Sequence, residues 1–314
     1  MQTRTLGQSG LVSTRLAYGC WRIAGPGESH EISHERAEHA RAAVRAAYEA
    51  GFRIFDHADI YAHGFGEHLF GEVLREIRGM REEILIASKC GIIRAGSPDP
   101  HAPYRYDSTA QHIIESCESS LRRLGVETID IYMIHRPDFL GEPAEIAGAV
   151  SQLLTQGKIR SFGVSNFRPD QARVLQQALP RRLVVNQVEI SLMKLDALHD
   201  GTLDHCQLEG IVPMAWGPLG GGKLTGHDSL SLQTVDHGHR GRIRDTADLI
   251  ARHHGVARSA VLLAWLLRHP AGILPVVGST QPEHIRQAAM ATQVQLSREE
   301  WYQLMEAASG HRLP

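Results

Sequence analysis

Four polar side chains that could do chemistry come soon after short apolar runs of the sequence. They are Asp56 and Tyr61 around the end of the run 53–56, Lys89 after the run 84–88, and His135 after the run 129–134. Apolar runs of this length are typical of strands buried in a parallel sheet. Since the carboxyl ends of parallel strands meet at one edge, we expect the four side chains to lie close together there.

These residue types suit acid–base chemistry at a carbonyl group. A tyrosine hydroxyl has a pKa of about 10 in water, and a neighbouring ammonium group lowers that pKa by stabilising the phenolate. Lys89 could supply the ammonium group, and Asp56 would keep a buried lysine charged. His135 could donate a hydrogen bond to a substrate oxygen. We therefore expect Tyr61 to protonate a carbonyl oxygen while a hydride reaches the carbon.

Each of these residues taken alone has an ordinary structural explanation. An aspartate at a strand end often caps a helix, a tyrosine often packs, and a lysine is usually solvated. Their recurrence at equivalent ends of successive strands favours one shared site over four unrelated roles.

The composition indicates a globular protein whose partner is a small molecule. Of its 314 residues 42% are hydrophobic and 22% are charged, and the formal net charge is −2. That charge offers no basic footprint for nucleic acid or an anionic membrane surface. The longest apolar run, Ala260–Leu267, is shorter than the ~18 residues that a membrane span needs. The N-terminus lacks the apolar core of a signal peptide, and the scattered cysteines indicate reduced thiols in a cytoplasmic protein; they are Cys20, Cys90, Cys117 and Cys206.

Short apolar runs alternate with longer amphipathic segments, which predicts alternating strands and helices. The strand candidates are 16–20, 53–56, 84–88, 129–134, 160–164, 183–187, 211–215 and 273–277. The helix candidates are 35–50, 66–77, 109–124, 144–156, 169–178, 200–209, 242–254, 258–268 and 282–291. Cap signals support several of them, with Ser108 before the third helix and Gly125 after it; Gly51 and Gly157 also follow helix ends.

Eight strand–helix units predict an α/β fold, a (β/α)8 TIM barrel that forms one domain over residues 1–314. A turn at Gly7–Gly10 predicts an N-terminal β-hairpin that caps the bottom of the barrel, and two extra helices precede the last strand near the C-terminus. A doubly wound open sheet is the alternative, and it needs a G-x-G-x-x-G turn directly after its first strand. Trp21-Arg22-Ile23 stands there instead, which favours the barrel.

One long interruption and several loops are expected to shape the substrate pocket. The interruption runs from Gly217 through the polar stretch that ends at Gly241, and loops of such length usually carry function. The expected pocket loops are 21–33, 92–107, 136–142 and 223–241, where Arg94, Arg105 and Arg136 could bring positive charge.

Motifs in a fixed order along the chain resemble those of the aldo-keto reductase family. They are Asp56-His57-Ala58-Asp59-Ile60-Tyr61, Lys89, Ile131–Pro137, Gly163–Phe167, Asn186–Glu189 and Trp216–Gly222. Any one of them is weak evidence, whereas the ordered set between Leu6 and Ala291 is specific. The resemblance implies a (β/α)8 barrel that binds an extended nicotinamide dinucleotide without a Rossmann motif and reduces aldehydes or ketones to alcohols.

The resemblance also implies roles for individual residues. The matches to the family's catalytic tetrad are Asp56, Tyr61, Lys89 and His135, with Tyr61 as proton donor. The expected cofactor contacts are Gly19, Cys20, Asp56, Ser165, Asn166, Gln187, Trp216, Gly217, Leu219, Gly221, Lys223, Gly278, Ser279, Thr280, His284 and Gln287. Among these, Ser165, Asn166 and Gln187 would hold the nicotinamide carboxamide, and Trp216 would stack on the ring. The substrate pocket is expected to include Trp21, Tyr61 and His135.

The segment expected to bind the adenosine phosphate departs from the pattern of NADPH-specific members. Those members often carry a lysine near Gly278 and an arginine near Gln281 or His284, and this chain has neither. Arg286 or Lys223 could substitute. Family habit favours NADPH (NADP), and NADH (NAD) stays a second candidate.

Two other classes of function stay open. A regulatory or sensing scaffold, such as a potassium-channel β subunit, would keep the cofactor site with little turnover, but the complete tetrad favours an enzyme. A metal-dependent barrel hydrolase would use the histidines and aspartate after the second strand; these are His57, Asp59, His63 and His68. Such hydrolases typically carry an H-x-H at strand one, which is missing here, so we expect no metal.

Overall fold

The computed structural model describes residues 1–25, 33–226 and 238–312. Its strands, numbered in chain order, are β1 (Thr3–Thr5), β2 (Val12–Thr14), β3 (Ala17–Gly19), β4 (Ile54–Asp56), β5 (Leu85–Cys90), β6 (Ile92–Ile93), β7 (Arg105–Tyr106), β8 (Ile129–Ile134), β9 (Ile159–Ser165), β10 (Val185–Glu189), β11 (Val212–Trp216) and β12 (Leu274–Val277). Eight of them close into a parallel barrel in the order β3, β4, β5, β8, β9, β10, β11, β12. The predicted (β/α)8 barrel is confirmed.

Helices cover the outside of the barrel. They are α1 (His34–Glu49), α2 (Phe65–Glu76), α3 (Met80–Glu83), α4 (Ala110–Leu124), α5 (Pro143–Thr155), α6 (Pro169–Ala178), α7 (Thr202–Glu209), α8 (His239–His254), α9 (Arg258–Arg268), α10 (Pro282–Ala289) and α11 (Arg298–Ser309). The two extra helices before the last strand are α8 and α9, as predicted, and α11 packs on α8. None of the helices in the described ranges is long and apolar enough to cross a membrane.

The N-terminal hairpin closes the bottom of the barrel. Strands β1 and β2 pair antiparallel, and Leu6 and Leu11 of the turn join the apolar cluster inside the barrel with Ile54, Ile131 and Met214. Leu6 is fully buried, and burying a leucine stabilises a fold by about 1.5–3 kcal/mol. The hairpin therefore seals the end of the barrel opposite the carboxyl ends of its strands, as predicted.

The N-cap of helix α4 lies one residue later than predicted. Thr109, not Ser108, is the N-cap, because its side chain accepts a hydrogen bond from the backbone N–H of His112. The Ser108 hydroxyl instead donates to Asp138, at 3.0 Å. At the other end, Gly125 adopts φ 69°, a left-handed conformation that glycine tolerates best.

The loops at the carboxyl ends of the strands are described in part. Strands β6 and β7 form a small antiparallel hairpin within the predicted loop 92–107. Most of the predicted loop 21–33 and residues 227–237 of the loop 223–241 lie outside the described residues.

Candidate active site

The four side chains picked out in the sequence come together at the mouth of the barrel. Asp56 is the last residue of β4, Lys89 lies near the end of β5, and His135 directly follows β8. Tyr61 begins a short 3-10 helix, Tyr61–Gly64, after β4. The parallel strands deliver all four to one end of the barrel, as the strand pattern predicted.

Lys89 is at the centre of this group. Its side chain is 0% exposed, and its ammonium nitrogen lies 2.7 Å from Asp56 Oδ1, 2.6 Å from the carbonyl oxygen of His57 and 3.3 Å from the Tyr61 hydroxyl. An ammonium group has three N–H donors, so these three acceptors satisfy it completely. The carbonyl oxygen of His57 is a partner that the sequence did not indicate.

Tyr61 and His135 face each other across the mouth. Their rings meet edge to face with centroids 5.8 Å apart, and His135 is almost completely buried. His135 Nδ1 has no hydrogen-bond partner among the described residues.

Burial is the largest single influence on the pKa of each of Tyr61, Lys89 and His135. Burial raises the pKa of Tyr61, and the charge of Lys89 opposes that rise without overcoming it. Lys89 therefore acts on Tyr61 in the expected direction, although burial leaves the pKa of the hydroxyl above its usual value. Burial also disfavours the charged form of Lys89, yet the Asp56 carboxylate and Tyr61 hold the pKa of Lys89 above its usual value. Burial, Lys89 and Arg136 together place the pKa of His135 well below its usual range, so its imidazole is neutral.

A second cluster of polar side chains lines the same end of the barrel, at the ends of β9, β10 and β11. It consists of Ser165, Asn166, Gln187 and Trp216. The Asn166 amide donates to Ser165 Oγ at 2.8 Å and to the carbonyl oxygen of His135 at 3.2 Å. Asn166 Oδ1 accepts a hydrogen bond from the Trp216 indole N–H at 3.0 Å. Asn166 has φ 62°, a left-handed conformation that asparagine tolerates better than most residues. The structure therefore fixes the indole and the amide relative to His135.

Asp56 connects the cluster around Lys89 with the cluster that contains Gln187. The Gln187 side-chain amide donates to Asp56 Oδ1 at 2.9 Å, the same oxygen that accepts from Lys89. Strands β4 and β10 lie opposite each other in the barrel, so this hydrogen bond crosses its interior. The sequence predicted both residues as site residues but gave no signal that they touch.

Further predicted contacts lie around the rim of the mouth. Gly19 must be small because a Cβ there would lie 2.8 Å from a Val276 methyl group, and Cys20 is buried beside it. Trp21 is 59% exposed and stacks with Arg22, whose guanidinium donates to the carbonyl oxygen of Gly221 at 3.0 Å. That hydrogen bond joins the segment after β3 to the glycine-rich segment after β11.

The glycine-rich segment after β11 has a backbone that depends on glycine. Gly217, Gly220, Gly221 and Gly222 all have positive φ values between 61° and 98°, which other residues adopt only at a cost. Leu219 within it packs against the apolar core. The carbonyl oxygen of Lys223 accepts a hydrogen bond from Arg244 at 3.0 Å. The chain directly after Trp216 therefore follows a tight path in which most side chains are absent.

The predicted adenosine-phosphate segment follows β12. Gly278, Ser279 and Thr280 lie between β12 and α10, and all three are partly exposed. The carbonyl oxygen of Ser279 is held by the Tyr18 hydroxyl at 2.9 Å. In α10, Glu283 forms an ion pair with Arg286 at 3.2 Å and accepts a hydrogen bond from Gln287; His284 stands between them in sequence.

The histidine-rich segment after β4 does not gather into a metal site. The His57 ring is buried against Phe70, with centroids 4.5 Å apart, and burial lowers its pKa to about 3. His68 lies 3.4 Å from Glu72 on α2. In the described ranges, one trio of potential metal ligands has its ligand atoms within 4.8 Å of one another, and it contains none of these residues.

Arg136, which the sequence predicts as a positive charge near the pocket, lies against Trp216 at the mouth of the barrel. Its guanidinium carbon lies 5.7 Å from the centroid of the Trp216 ring, although Arg136 follows β8 and Trp216 ends β11, three strands away. Cation–π contacts of this kind are favourable within about 6 Å. The side chain must therefore reach across the ends of β9 and β10.

Comparison with known proteins identifies the family of this chain. The model of the aldo/keto reductase family matches residues 15–309. A 6-dehydroglucose reductase from Novosphingobium aromaticivorans is 38% identical over 99% of this chain and 97% of its own length. Oxidoreductase YdhF from Escherichia coli is 35% identical over the full length of both. A thermostable aldo-keto reductase solved with the inhibitor epalrestat has a TM-score of 0.81 and 27% identity, covering 98% of this chain and 100% of the other. The chain belongs to the aldo/keto reductase family.

Proposed function

We propose that the protein reduces aldehydes or ketones to alcohols, reversibly, with a nicotinamide dinucleotide as hydride donor. One observation carries the proposal: a buried ammonium, that of Lys89, lies 3.3 Å from the Tyr61 hydroxyl and 2.7 Å from Asp56 at the barrel mouth. A phenol beside a fixed positive charge can release its proton to a developing alkoxide, because the charge stabilises the phenolate that is left.

Each side chain has a distinct part in that chemistry. Tyr61 donates the proton, and since burial raises its pKa, it stays protonated at neutral pH, as an acid must before it acts. Lys89 stabilises the phenolate, and Asp56 keeps Lys89 charged. His135 is neutral, so one ring nitrogen can donate a hydrogen bond to the substrate oxygen without bringing a charge that would repel Lys89.

The polar group on β9 to β11 fits a nicotinamide carboxamide. An amide ligand needs donors and acceptors, which Ser165 and Gln187 supply from buried positions and Asn166 from a partly buried one. The Trp216 indole, fixed by Asn166, offers a flat surface for an aromatic ring. When bound, the nicotinamide supplies the hydride. We propose the backbone of Gly217–Gly221 with Lys223 for the pyrophosphate, Gly19 and Cys20 for the rim beside it, and Gly278, Ser279, Thr280, His284 and Gln287 for the adenosine end.

We propose NADPH as the preferred cofactor, since the family usually uses it, and NADH as a second cofactor. The chain lacks the lysine near Gly278 and the arginine near Gln281 or His284 that NADPH-specific members often carry, which supports weak discrimination between the two. The 6-dehydroglucose reductases among the relatives make sugar aldehydes one class to assay. The four cysteines are free and buried, which supports the proposed cytoplasmic location.

The test is loss of NADPH or NADH absorbance with a panel of aldehydes that includes 6-dehydroglucose. Tyr61→Phe should lower kcat for reduction by about 10²–10⁴-fold, while cofactor affinity from tryptophan fluorescence changes less than about twofold. Tyr48→Phe is the matched control, since its hydroxyl bonds to Glu83 at 2.8 Å away from the mouth. Unchanged turnover in Tyr61→Phe would refute the proposed acid. Cofactor binding without turnover of any aldehyde would favour the regulatory scaffold.

A further inference from the structure

Two imidazoles and one carboxylate meet where the end of α8 touches the start of α11. His253 Nδ1 lies 3.1 Å, and His254 Nε2 3.0 Å, from Glu300 Oε1. The ligand atoms of all three lie within 4.8 Å of one another, and in the described ranges no second trio of histidine, cysteine or acidic side chains does so. We call this trio the α8–α11 cluster. None of its members belongs to the proposed active site.

We propose that the α8–α11 cluster binds a divalent transition-metal ion of the zinc class. Two imidazole nitrogens and a carboxylate oxygen form a common three-ligand set for zinc, with a fourth position left for water. With metal–ligand bonds of about 2.0–2.2 Å, neighbouring ligand atoms of a tetrahedral zinc site lie about 3.4 Å apart. The observed nitrogen–oxygen separations of 3.0 and 3.1 Å need to open by only a few tenths of an ångström.

The surroundings hold the carboxylate in place for this role. Glu300 Oε2 accepts a hydrogen bond from the backbone N–H of Ser297 at 2.7 Å, in a capping box at the start of α11. Oε1 then faces both imidazoles, and His254 Nε2 also lies 3.2 Å from Oε2. The next residue, Trp301, stacks on Trp265 with ring centroids 5.0 Å apart and exchanges indole-to-carbonyl hydrogen bonds with it. The first turn of α11 is therefore anchored to α9.

Electrostatics and access also suit a cation. The carbonyl end of α8 carries partial negative charge, which favours a cation beside His253 and His254. The start of α11 carries the opposite partial charge, and the Glu300 carboxylate offsets it. The side chains of His254 and Glu300 are 21% and 15% exposed, whereas that of His253 is 76% exposed, so an ion can enter from solvent. On binding, each facing N–H proton moves to the other ring nitrogen or to solvent.

The predicted consequence is stabilisation of the contact between α8 and α11, because one ion would join residues 47 positions apart in the chain. The test is titration of tag-free protein with zinc chloride by calorimetry, together with thermal unfolding. We expect one equivalent bound with a Kd of roughly micromolar order, and a rise in Tm of roughly 5 °C at a hundredfold excess over Kd. Neither readout depends on carbonyl reduction, so failure here is separate from failure of the proposed function.

Three variants locate the binding. Glu300→Gln keeps a capping-box residue and removes the charge, and His254→Ala removes one ligand; each should weaken zinc binding by about tenfold or more. His68→Ala is the control, since His68 faces a single carboxylate, Glu72, at 3.4 Å, and it should leave binding within about twofold. Zinc chloride that does not bind saturably, or binding that survives Glu300→Gln or falls equally in His68→Ala, would overturn the proposal. Cu²⁺ should quench the fluorescence of Trp301, and loss of this quenching in Glu300→Gln would support the proposal.

Discussion

Replacing Lys89 with methionine removes the ammonium group that lies between Asp56 and Tyr61. The nitrogen is 2.7 Å from Asp56 Oδ1 and 3.3 Å from the Tyr61 hydroxyl, and the side chain is fully buried. Methionine keeps a similar length of apolar side chain, so the main change is the loss of charge. Lys89→Met therefore tests two effects at once: stabilisation of the Tyr61 phenolate, and the balance of charge around Asp56.

The geometry sets the size of both effects. A unit charge 3.3 Å from a full phenolate stabilises it by roughly 5 kcal/mol at an effective dielectric constant of about 20. Only part of that charge develops in the transition state, so we expect kcat for reduction to fall by about 10²–10⁴-fold. Removing one member of a buried ion pair typically lowers the free energy of unfolding by about 3–5 kcal/mol. The Asp56 carboxylate would keep its hydrogen bond from Gln187, which favours the lower end.

The assays are kcat for one good aldehyde and the free energy of unfolding in urea. Lys158→Met is the matched control, because Lys158 pairs with Glu118 at the same 2.7 Å but the two side chains are 29% and 36% exposed. Such partly exposed pairs stabilise by about 0–1 kcal/mol. The double variant Asp56→Asn/Lys89→Met should recover stability without recovering activity. Parental kcat in Lys89→Met, or a stability loss no larger than that of Lys158→Met, would refute the reasoning.

Four further changes have expected outcomes. His284→Arg should tighten NADPH binding about tenfold relative to NADH in fluorescence titrations, and an equal shift for both would contradict the proposed adenosine end. Arg136→Met should lower kcat/KM for 4-carboxybenzaldehyde about tenfold more than for its neutral methyl ester; equal losses would place Arg136 on the cofactor instead. Burial and, after it, the charge of Glu67 raise the pKa of Asp59 to about 7. The stability that the neutral carboxyl contributes is therefore complete below about pH 4 and is lost as the pH rises through about 7. The gain in unfolding free energy from Asp59→Asn, measured in urea, should grow between pH 4 and pH 7, and a constant gain would contradict this prediction. Leu6→Ala should cost about 2–5 kcal/mol of unfolding free energy in one transition, whereas two transitions would contradict the prediction that residues 1–314 form a single domain.

The barrel and the positions of Asp56, Lys89 and His135 were predictable because strand patterns are local. A short apolar run that ends in a polar residue already indicates a buried strand and its carboxyl end. Parallel strands in one barrel then have to place those ends together. The roles of these residues stay proposals, but their meeting at one mouth follows from the order of apolar and polar residues along the chain.

Contacts across the barrel could not be predicted in this way. The hydrogen bond between Gln187 and Asp56 joins residues 131 positions apart, and the Arg136–Trp216 contact spans three strands of the barrel. Neither contact affects the local pattern of apolar and polar residues, so the sequence could not indicate it. The net pKa of Tyr61 depends on the folded chain in the same way, since burial of the hydroxyl outweighs the opposing charge of Lys89.

Competition between local signals explains the misplaced helix cap. Ser108 and Thr109 are both good N-cap residues, and the sequence alone does not separate them. Asp138, on the loop after β8, binds both the backbone N–H and the hydroxyl of Ser108, which leaves Thr109 to cap α4. A tertiary contact therefore decided a feature that appeared local.

Asp56 links the proposed catalytic and cofactor groups through a single atom. Its Oδ1 accepts from Lys89 Nζ at 2.7 Å and from the Gln187 amide at 2.9 Å. A ligand that binds Gln187 through that amide N–H takes one hydrogen bond from Asp56, which leaves more of its negative charge to stabilise the Lys89 ammonium. The charge on Lys89 and the occupancy of the cofactor pocket are then coupled, and such coupling acts equally in both directions. It follows that neutralising Asp56 should change cofactor affinity as well as turnover, although the strands that carry Asp56 and Gln187 lie on opposite sides of the barrel.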